Sequence, residues 1–380
     1  MAGFVNVIWE WYASHKRTLP WRDLTIEDET QRAYRILVSE VMLQQTQVER
    51  VKVMYRTFLE RFPTLSSLAD ASNRDVLLAW RGMGYNSRAL RLRDAAKVIV
   101  ERFDGVFPKE MDLLSSIKGV GPYTAAAIRN FAFNLPTPCI DTNIRRILHR
   151  TFVGPEERDG TWEKDDTYLL KLAEEALKIV CSGSGQEEPR WSPFDTPPCP
   201  SACSSRGTKC QAKNVSKSRH GGTQGDTAGG SMTPSVSRPP HDAANWHAAL
   251  MDFGSLVQTK SNPRWHLCPL TRLGLMKATP KAWERRRSSF DGLRMTSGER
   301  RRSEPGREIA GKFVPNRIIR GRIIDELRDE EAGLRFDELG RRVCIDWSPR
   351  QHRAWLKGIV EKLKHEQMLR LSKRSYLLQT

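Results

Sequence analysis

The feature that most constrains this chain is a short glycine turn, Gly119-Val120-Gly121, inside the sequence LLSSIKGVGPYTAAAI. Apolar spacing predicts a helix before the turn, and Pro122 opens the next helix at the position where proline is favoured. Two glycines one residue apart let the backbone reverse tightly. The small side chains of residues 124–127 favour close packing behind the turn, so the two helices should lie against each other.

The same turn is suited to phosphate. Its N–H groups can approach a bulky anion, and the N-terminus of the second helix points towards the same place. A single pair of glycines also occurs in ordinary helix–helix turns, so the turn alone leaves both interpretations open. With its flanking helices, at about residues 113–128, it has the pattern of a helix-hairpin-helix, which grips the DNA backbone without reading sequence. The net charge of +17 also favours a polyanionic partner.

Helical periodicity predicts an all-α domain over residues 1–180 and 242–280. In the first part we expect helices at about 4–15, 31–61, 65–69, 73–80, 86–103, 110–116, 122–133, 141–150 and 166–180. Between the two parts, residues 181–241 form a predicted disordered insertion, because 36 of residues 181–240 are Ser, Gly, Pro, Thr or Cys. Cys199, Cys203 and Cys210 within it lack a fourth ligand and a supporting helix, so we expect no metal site there.

The end of the chain is a separate predicted module. Residues 281–312 form a basic linker or insertion, and residues 313–380 contain three helical segments followed by two short strands around a basic turn. That order is typical of a winged helix. Such modules bind nucleic acid or protein, and both partners remain open at this point.

Cysteine usage and the N-terminal sequence bear on location. The seven cysteines are odd in number and unevenly placed, which is not typical of a disulfide framework. The first 22 residues lack the features of a signal peptide, and no apolar segment is long enough for a membrane span. We therefore expect a cytoplasmic protein with reduced thiols and no membrane partner.

Two carboxylates are candidates for chemistry. Glu40 lies in SEVMLQQTQV, where one predicted helix would place Glu40, Gln44 and Gln47 on a single line. A solvated face explains the glutamines equally simply. Asp141 precedes the predicted helix of IDTNIRRIL and is, taken alone, as readily a helix N-cap.

Taken together, these segments resemble the helix-hairpin-helix DNA glycosylases, specifically the MutY-like adenine glycosylase branch. The resemblance covers about residues 5–180 and 243–271. It rests on LPWR, YRILVSEVMLQQTQV, RFPTLSSLA, WRGMGYNSRAL, GVGPYTAAAI, IDTNIRRIL and ALMDFG. It implies an all-α fold of two helical lobes with the active site in the cleft between them.

The resemblance also implies roles for the candidate catalytic residues. Glu40 would protonate the departing adenine, which requires a pKa raised by burial. Asp141 would stabilise the positive charge that develops on the sugar and guide the attacking water. Tyr123 occupies the position of the Schiff-base lysine of bifunctional relatives, which implies a monofunctional enzyme.

The implied partner is double-stranded DNA with a mismatched or oxidised base pair, bound by a monomer in the bacterial cytoplasm and nucleoid. Gln44 or its neighbour Gln45 resembles the residue that fills the gap left by the flipped base, and Tyr85 resembles a wedge beside the opposite base. Gly119 and Gly121 would bind the backbone. Arg22 resembles a residue near the target-base pocket.

The chain departs from the family at three places. The iron–sulfur pattern C-x6-C-x2-C-x5-C falls on Gln258, Trp265, Cys268 and Gly274, so only Cys268 remains and we expect no cofactor and no metal. The usual Nudix-like domain is replaced by the winged-helix-like segment. Ala248 stands where the family has a Gln or Glu that contacts adenine.

The leading interpretation is therefore removal of adenine opposite 8-oxoguanine or G. A thymine or uracil mismatch glycosylase is the first alternative, since those relatives share Glu40, Tyr123 and Asp141. The second alternative is a DNA-binding module without catalysis, against which the presence of both carboxylates argues.

Overall fold

The computed structural model describes residues 1–157, 161–182, 242–288 and 305–380. Its first part is helical, as expected, and strands occur in the described residues only after residue 305. The helices that precede the C-terminal module are α1 Ala2–His15, α2 Glu29–Leu43, α3 Val48–Arg61, α4 Leu65–Ala69, α5 Asn73–Ala79, α6 Ser87–Arg102, α7 Met111–Ser116, α8 Pro122–Phe133, α9 Thr142–Phe152, α10 Asp166–Cys181, α11 Ala243–Leu256, α12 Pro269–Arg272 and α13 Pro280–Ser288.

Buried apolar side chains form two clusters, which correspond to two lobes. Helices α2 to α8 surround the larger part of the first, whose large members include Tyr34, Phe58 and Trp80, and this cluster continues into residues 309–378 of the C-terminal module. The second is surrounded by α1, α9, α10, α11 and α12 and includes Trp246 and Phe253. The N-terminal helix therefore packs with the late helices, and the prediction of a two-lobed all-α fold is confirmed.

The prediction of one helix over residues 31–61 is wrong. Helix α2 ends at Leu43, and α3 begins at Val48 after a turn. The break has a tertiary cause, because the buried guanidinium of Arg88 binds the carbonyl oxygens of Val41 and Met42, at 3.0 and 3.1 Å, and that of Gln44. Carbonyls at a helix C-terminus have no partner within the helix, and Arg88 supplies one. Glu40, Gln44 and Gln47 consequently do not share a helical face.

The glycine turn has the expected form. Helices α7 and α8 pack against each other across residues 117–121, and Pro122 is the first residue of α8. Gly119 has φ +99°, and a Cβ atom there would lie 3.3 Å from the carbonyl oxygen of Arg91. Both the backbone angle and the close approach to α6 therefore require glycine at this position.

The C-terminal module contains three helices and two small sheets. It comprises β1 Gly306–Ile309, β2 Lys312–Pro315, α14 Asn316–Arg328, β3 Leu334–Arg335, α15 Phe336–Val343, α16 Pro349–His365, β4 Leu369–Ser372 and β5 Ser375–Leu378. Strand β5 lies between β3 and β4, antiparallel to both, with Leu371 opposite Tyr376. The three helices and the terminal hairpin are as predicted.

The module begins earlier in the chain than the sequence predicts. Residues 281–312 were expected to be a linker, yet residues 280–288 are helical and β1 pairs with β2 in a hairpin over residues 306–315. The reason is that Ile309 is buried against the module, although polar residues surround it in the sequence. The predicted insertion at 181–241, except for its first two residues, and the segment at 289–304 lie outside the described residues. Among the described helices, none is long and apolar enough to cross a membrane.

Candidate active site

Glu40 lies on the buried face of α2, and only 8% of its surface is exposed. Burial and, to a smaller extent, the nearby charge of Asp141 raise the pKa of its carboxyl group to about 7. A hydrogen bond with Tyr123 and the positive charge of Arg22 act in the opposite direction. Because its pKa is close to neutral, Glu40 can carry a proton at physiological pH, as a general acid must.

Tyr123 faces Glu40 from the second position of α8. Its side chain hydrogen-bonds the Glu40 carboxyl group, and burial together with two neighbouring carboxylates raises the pKa of the phenol well above its ordinary value. The hydroxyl therefore remains protonated and donates. Since α8 begins immediately after the glycine turn, the turn that is suited to phosphate also fixes the position of Tyr123.

Asp141 comes from the other lobe, as the N-cap residue of α9. Its Oδ1 accepts hydrogen bonds from the backbone N–H groups of Asn143 at 2.9 Å and Ile144 at 2.6 Å, and its Oδ2 accepts one from the Asn143 amide at 2.8 Å. Burial raises the pKa of Asp141, and these three hydrogen bonds lower it. Asp141 is thus a helix cap whose carboxylate acts electrostatically on Glu40, and its catalytic role stays a prediction.

The groups that hold Asp141 in place could not be identified from a sequence pattern. Arg146 donates to the Asn143 side-chain oxygen at 2.7 Å and to the Gly254 carbonyl oxygen at 2.9 Å. A Cβ atom on Gly254 would lie 2.6 Å from the Cβ of Asn143. The glycine of ALMDFG therefore allows α11 to approach the residue that orients Asp141. An arginine within an amphipathic helix is an ordinary surface pattern, which is why Arg146 was missed.

Arg22 lies near Glu40 but is already bound by a carboxylate. Its guanidinium forms two hydrogen bonds with the fully buried Asp252, at 2.7 and 2.8 Å. Arg17 donates to the same carboxylate, at 2.7 Å from its Nε. The ion pairs tie the segment before α2 to α11, so the observed role of Arg22 is to join the two lobes. Contact between Arg22 and DNA stays a prediction.

Gln44, Gln45 and Tyr85 lie together on two neighbouring turns at the surface. Gln45 has φ +55° and Tyr85 has φ +46°, a region that residues with side chains seldom adopt. Arg88 joins the turns, because its Nη2 donates to the Met83 carbonyl oxygen at 3.1 Å while its Nη1 holds the end of α2. The structure brings these three predicted residues together, and their contact with DNA stays a prediction.

The four positions of the iron–sulfur pattern do not fit a cluster. Gln258 is fully buried, and its side-chain nitrogen lies 3.2 Å from the sulfur of Cys268. The sulfur of Met276 lies 3.6 Å from both groups. Arg150 donates to the Gln258 side-chain oxygen at 3.1 Å and lies over the ring of Trp265. A single thiol packed against an amide and a thioether is not a ligand set for iron.

In the part of the chain that the structure describes, no group of three or more His, Cys, Asp or Glu side chains is placed to hold a metal ion.

The geometry agrees with a known family. Residues 38–171 match the model of the HhH-GPD superfamily base excision DNA repair proteins. This segment contains Glu40, the glycine turn, Tyr123 and Asp141. It is an HhH-GPD domain.

Curated relatives match a longer part of the chain than the family model does. The chain is 43% identical over 144 residues to the adenine DNA glycosylase of Mycolicibacterium smegmatis, which covers 38% of the chain and 47% of that protein. It is 37% identical over 268 residues to the adenine DNA glycosylase of Buchnera aphidicola, which covers 70% of the chain and 56% of that protein. The chain thus spans about half the length of these curated relatives.

A solved structure supports the fold. The structure of a thermostable thymine-DNA glycosylase aligns with a TM-score of 0.50 and 19% identity, over 74% of the chain and 96% of that structure. At this level of identity the likeness concerns the fold alone.

Proposed function

We propose that this protein is a monofunctional DNA glycosylase that removes adenine mispaired with G or 8-oxoguanine. The observation that carries the proposal is the buried pair of Glu40, with its pKa near 7, and Asp141 on the facing lobe. The similarity to adenine DNA glycosylases supports adenine as the base. The proposed partner is a DNA duplex, bound through the glycine turn and the surface turns at Gln45 and Tyr85.

In the proposed reaction, the adenine is flipped out of the duplex into the cleft between the lobes. Glu40 donates its proton to the ring, so the electron pair of the breaking glycosidic bond leaves with a neutral base. The carboxylate of Asp141 stabilises the positive charge on the sugar. Water then adds to the sugar carbon and gives up a proton, which restores the protonated form of Glu40. Tyr123 holds the Glu40 carboxyl group in position and provides no amine, so the strand is not cleaved.

The proposal includes no iron–sulfur cluster, because two of the four pattern positions, Gln258 and Cys268, pack against each other and against Met276. A thymine or uracil mismatch glycosylase is the second candidate. The observation in its favour is Ala248, which is buried in the second lobe and offers no polar atom to read adenine.

Single-turnover base release distinguishes these candidates. Four duplexes are compared, with A opposite 8-oxoguanine, A opposite G, T opposite G and U opposite G, and alkali is added afterwards to reveal abasic sites. We expect adenine release that falls by at least about 100-fold in Glu40→Gln. Release of thymine or uracil would favour the second candidate. Binding without release from any duplex would contradict catalysis.

A further inference from the structure

A groove lies along the junction of the HhH-GPD domain and the C-terminal module, whose buried apolar cores are continuous. Its volume is about 1180 Å³. One wall consists of residues 45–47 and 83–87 together with Arg50, and the other consists of one face each of α14 and α16. The volume exceeds the roughly 300–1,000 Å³ typical of small-molecule sites, and the groove is open to solvent, as a polymer requires.

The second wall is fixed to the first by buried polar contacts. Arg328, at the end of α14, is 3% exposed and donates to the carbonyl oxygen of Leu77 and the side-chain oxygen of Asn86, both at 3.1 Å. Asn73 donates to the carbonyl oxygen of Gln367 at 2.5 Å. Because Asn86 directly follows Tyr85, the module is anchored beside the surface turn that carries Tyr85.

The groove carries an excess of positive charge. Two carboxylates line it, and each already pairs with an arginine: Asp325 with Arg328, and Glu366 with Arg320 at 2.9 Å. The cationic side chains in the lining are Arg50, Arg317, Arg320, Arg322 and Lys362. This balance suits an anion with repeated charges, such as a phosphodiester backbone.

Two helical glycines keep the groove open. Gly321 on α14 and Gly358 on α16 both line it, and a Cβ atom at either position would meet no atom within 4 Å. Glycine in a helix interior lowers stability by about 0.5–1 kcal/mol relative to alanine. Packing requires neither of these two glycines, since an added Cβ atom would meet no neighbour. The space that they leave is available to a ligand.

The position of the groove identifies the strand that it suits. Glu40 is three residues before the end of α2, and the groove begins at Gln45, just beyond that end. If a target base turns inwards towards Glu40, its former partner stays outside, next to the turns that carry Gln45 and Tyr85. The groove continues from those turns along α14 and α16 of the C-terminal module.

We propose that this groove binds the backbone of the strand opposite the excised base, through the residues of α14 and α16 that line it. The inference rests on the proposed function, since it needs a target base in the Glu40 cleft. It assigns to the C-terminal module a part in substrate recognition that the sequence left open between nucleic acid and protein.

The test compares Gly321→Glu and Gly358→Glu with Gly321→Gln and Gly358→Gln in the full chain. Each Gln variant adds the same bulk without charge, so the ratio between paired variants measures electrostatics alone. Binding to a duplex with A opposite G is measured by fluorescence anisotropy, with all proteins in the Glu40→Gln background so that the base stays in place. This binding measurement does not depend on catalysis. If the protein with Glu40 intact binds the duplex but releases no base, the proposed function is wrong, and the comparison of Glu and Gln variants still tests the groove.

We expect each Glu variant to bind roughly 3- to 10-fold more weakly than its Gln partner at moderate salt. Uncharged methylphosphonates placed near the mismatch then identify the strand. In the opposite strand they should abolish the difference between Glu and Gln variants, and in the target strand they should leave it intact. Equal affinities of the Glu and Gln variants would overturn the proposal, and so would a difference that methylphosphonates abolish only in the target strand.

Discussion

Two turns at the surface of the HhH-GPD domain end a helix and lie next to the candidate active site, yet they form for different reasons. The turn before α8 contains its own glycines, and Gly119 adopts a left-handed angle that few other residues tolerate. The turn after α2 contains Gln44, Gln45 and Thr46, none of which ends a helix by preference. Arg88, more than forty positions away, holds it instead. A turn can therefore be encoded locally or by a distant side chain.

The largest effect is expected where the second turn loses its distant support. Arg88→Met keeps the length of the side chain but removes every donor, so the buried carbonyls of Val41, Met42 and Met83 lose their partners. Since an unsatisfied buried acceptor costs about 1–3 kcal/mol, we expect the free energy of unfolding to fall by roughly 3 kcal/mol or more. Denaturant unfolding measures this change.

Arg91→Met is the matched control, because Arg91 is exposed on the same helix. Its effect should stay within about 0.5 kcal/mol. Equal unfolding midpoints for the two variants would show that the turn after α2 does not depend on Arg88.

The next effect concerns Glu40, which is buried one turn before the end of α2. The pKa of Glu40 is about 7 in the folded protein, against an ordinary value near 4.5. The folded state therefore holds the proton more tightly than the unfolded state, and the wild type loses stability as the pH rises from about 4.5 through 7. The Glu40→Gln variant has no such loss. The free energy of unfolding of the variant minus that of the wild type should therefore increase by about 2–3 kcal/mol from pH 4.5 to pH 8.

Unfolding measured at both pH values tests this prediction, with the exposed Glu49→Gln as control. A Glu40→Gln difference that is the same at both pH values would mean that Glu40 does not hold its proton in the folded state. Base release by the wild type should decline as the pH rises through about 7, because the general acid then loses its proton.

The two glycines of the first turn should separate folding from binding. Gly119→Ala forces a left-handed residue and a contact of 3.3 Å with the Arg91 carbonyl oxygen, so we expect a loss of about 1–2 kcal/mol. Gly121 has φ −81°, and a Cβ atom there would meet nothing within 4 Å. Gly121→Ala should therefore leave stability within about 0.5 kcal/mol but weaken DNA binding, because its Cβ occupies the space that a phosphate approaches.

Thermal unfolding and DNA binding by both variants give the comparison. Unchanged DNA affinity in Gly121→Ala would contradict phosphate binding at this turn.

The same difference between local and distant causes explains what could be predicted from the sequence. Helix α8, the turn before it and the cap at Asp141 follow from proline, glycine and aspartate at positions where each acts locally. The break after Leu43, the anchor at Arg328 and the support of Asp141 by Arg146 depend on buried arginines whose partners lie far away in the sequence. An arginine in a helix is usually exposed, so its burial could not be inferred. The strand β1 was missed because four residues with one buried side chain carry little periodicity.

The smallest expected effect compares two neighbouring residues in the turn that Arg88 holds. Gln45 has φ +55°, so Gln45→Gly relieves strain and should raise stability by up to about 1 kcal/mol, after the greater freedom of glycine in the unfolded chain is subtracted. Gln44 has φ −59°, which suits any residue, so Gln44→Gly should lower stability by about 0.5–1 kcal/mol. Opposite signs at adjacent positions would show that strain is held at Gln45 alone. If Gln45→Gly also weakens DNA binding, the protein keeps a strained glutamine there because the side chain acts on DNA; if binding is unaffected, the left-handed angle follows only from how Arg88 closes the turn.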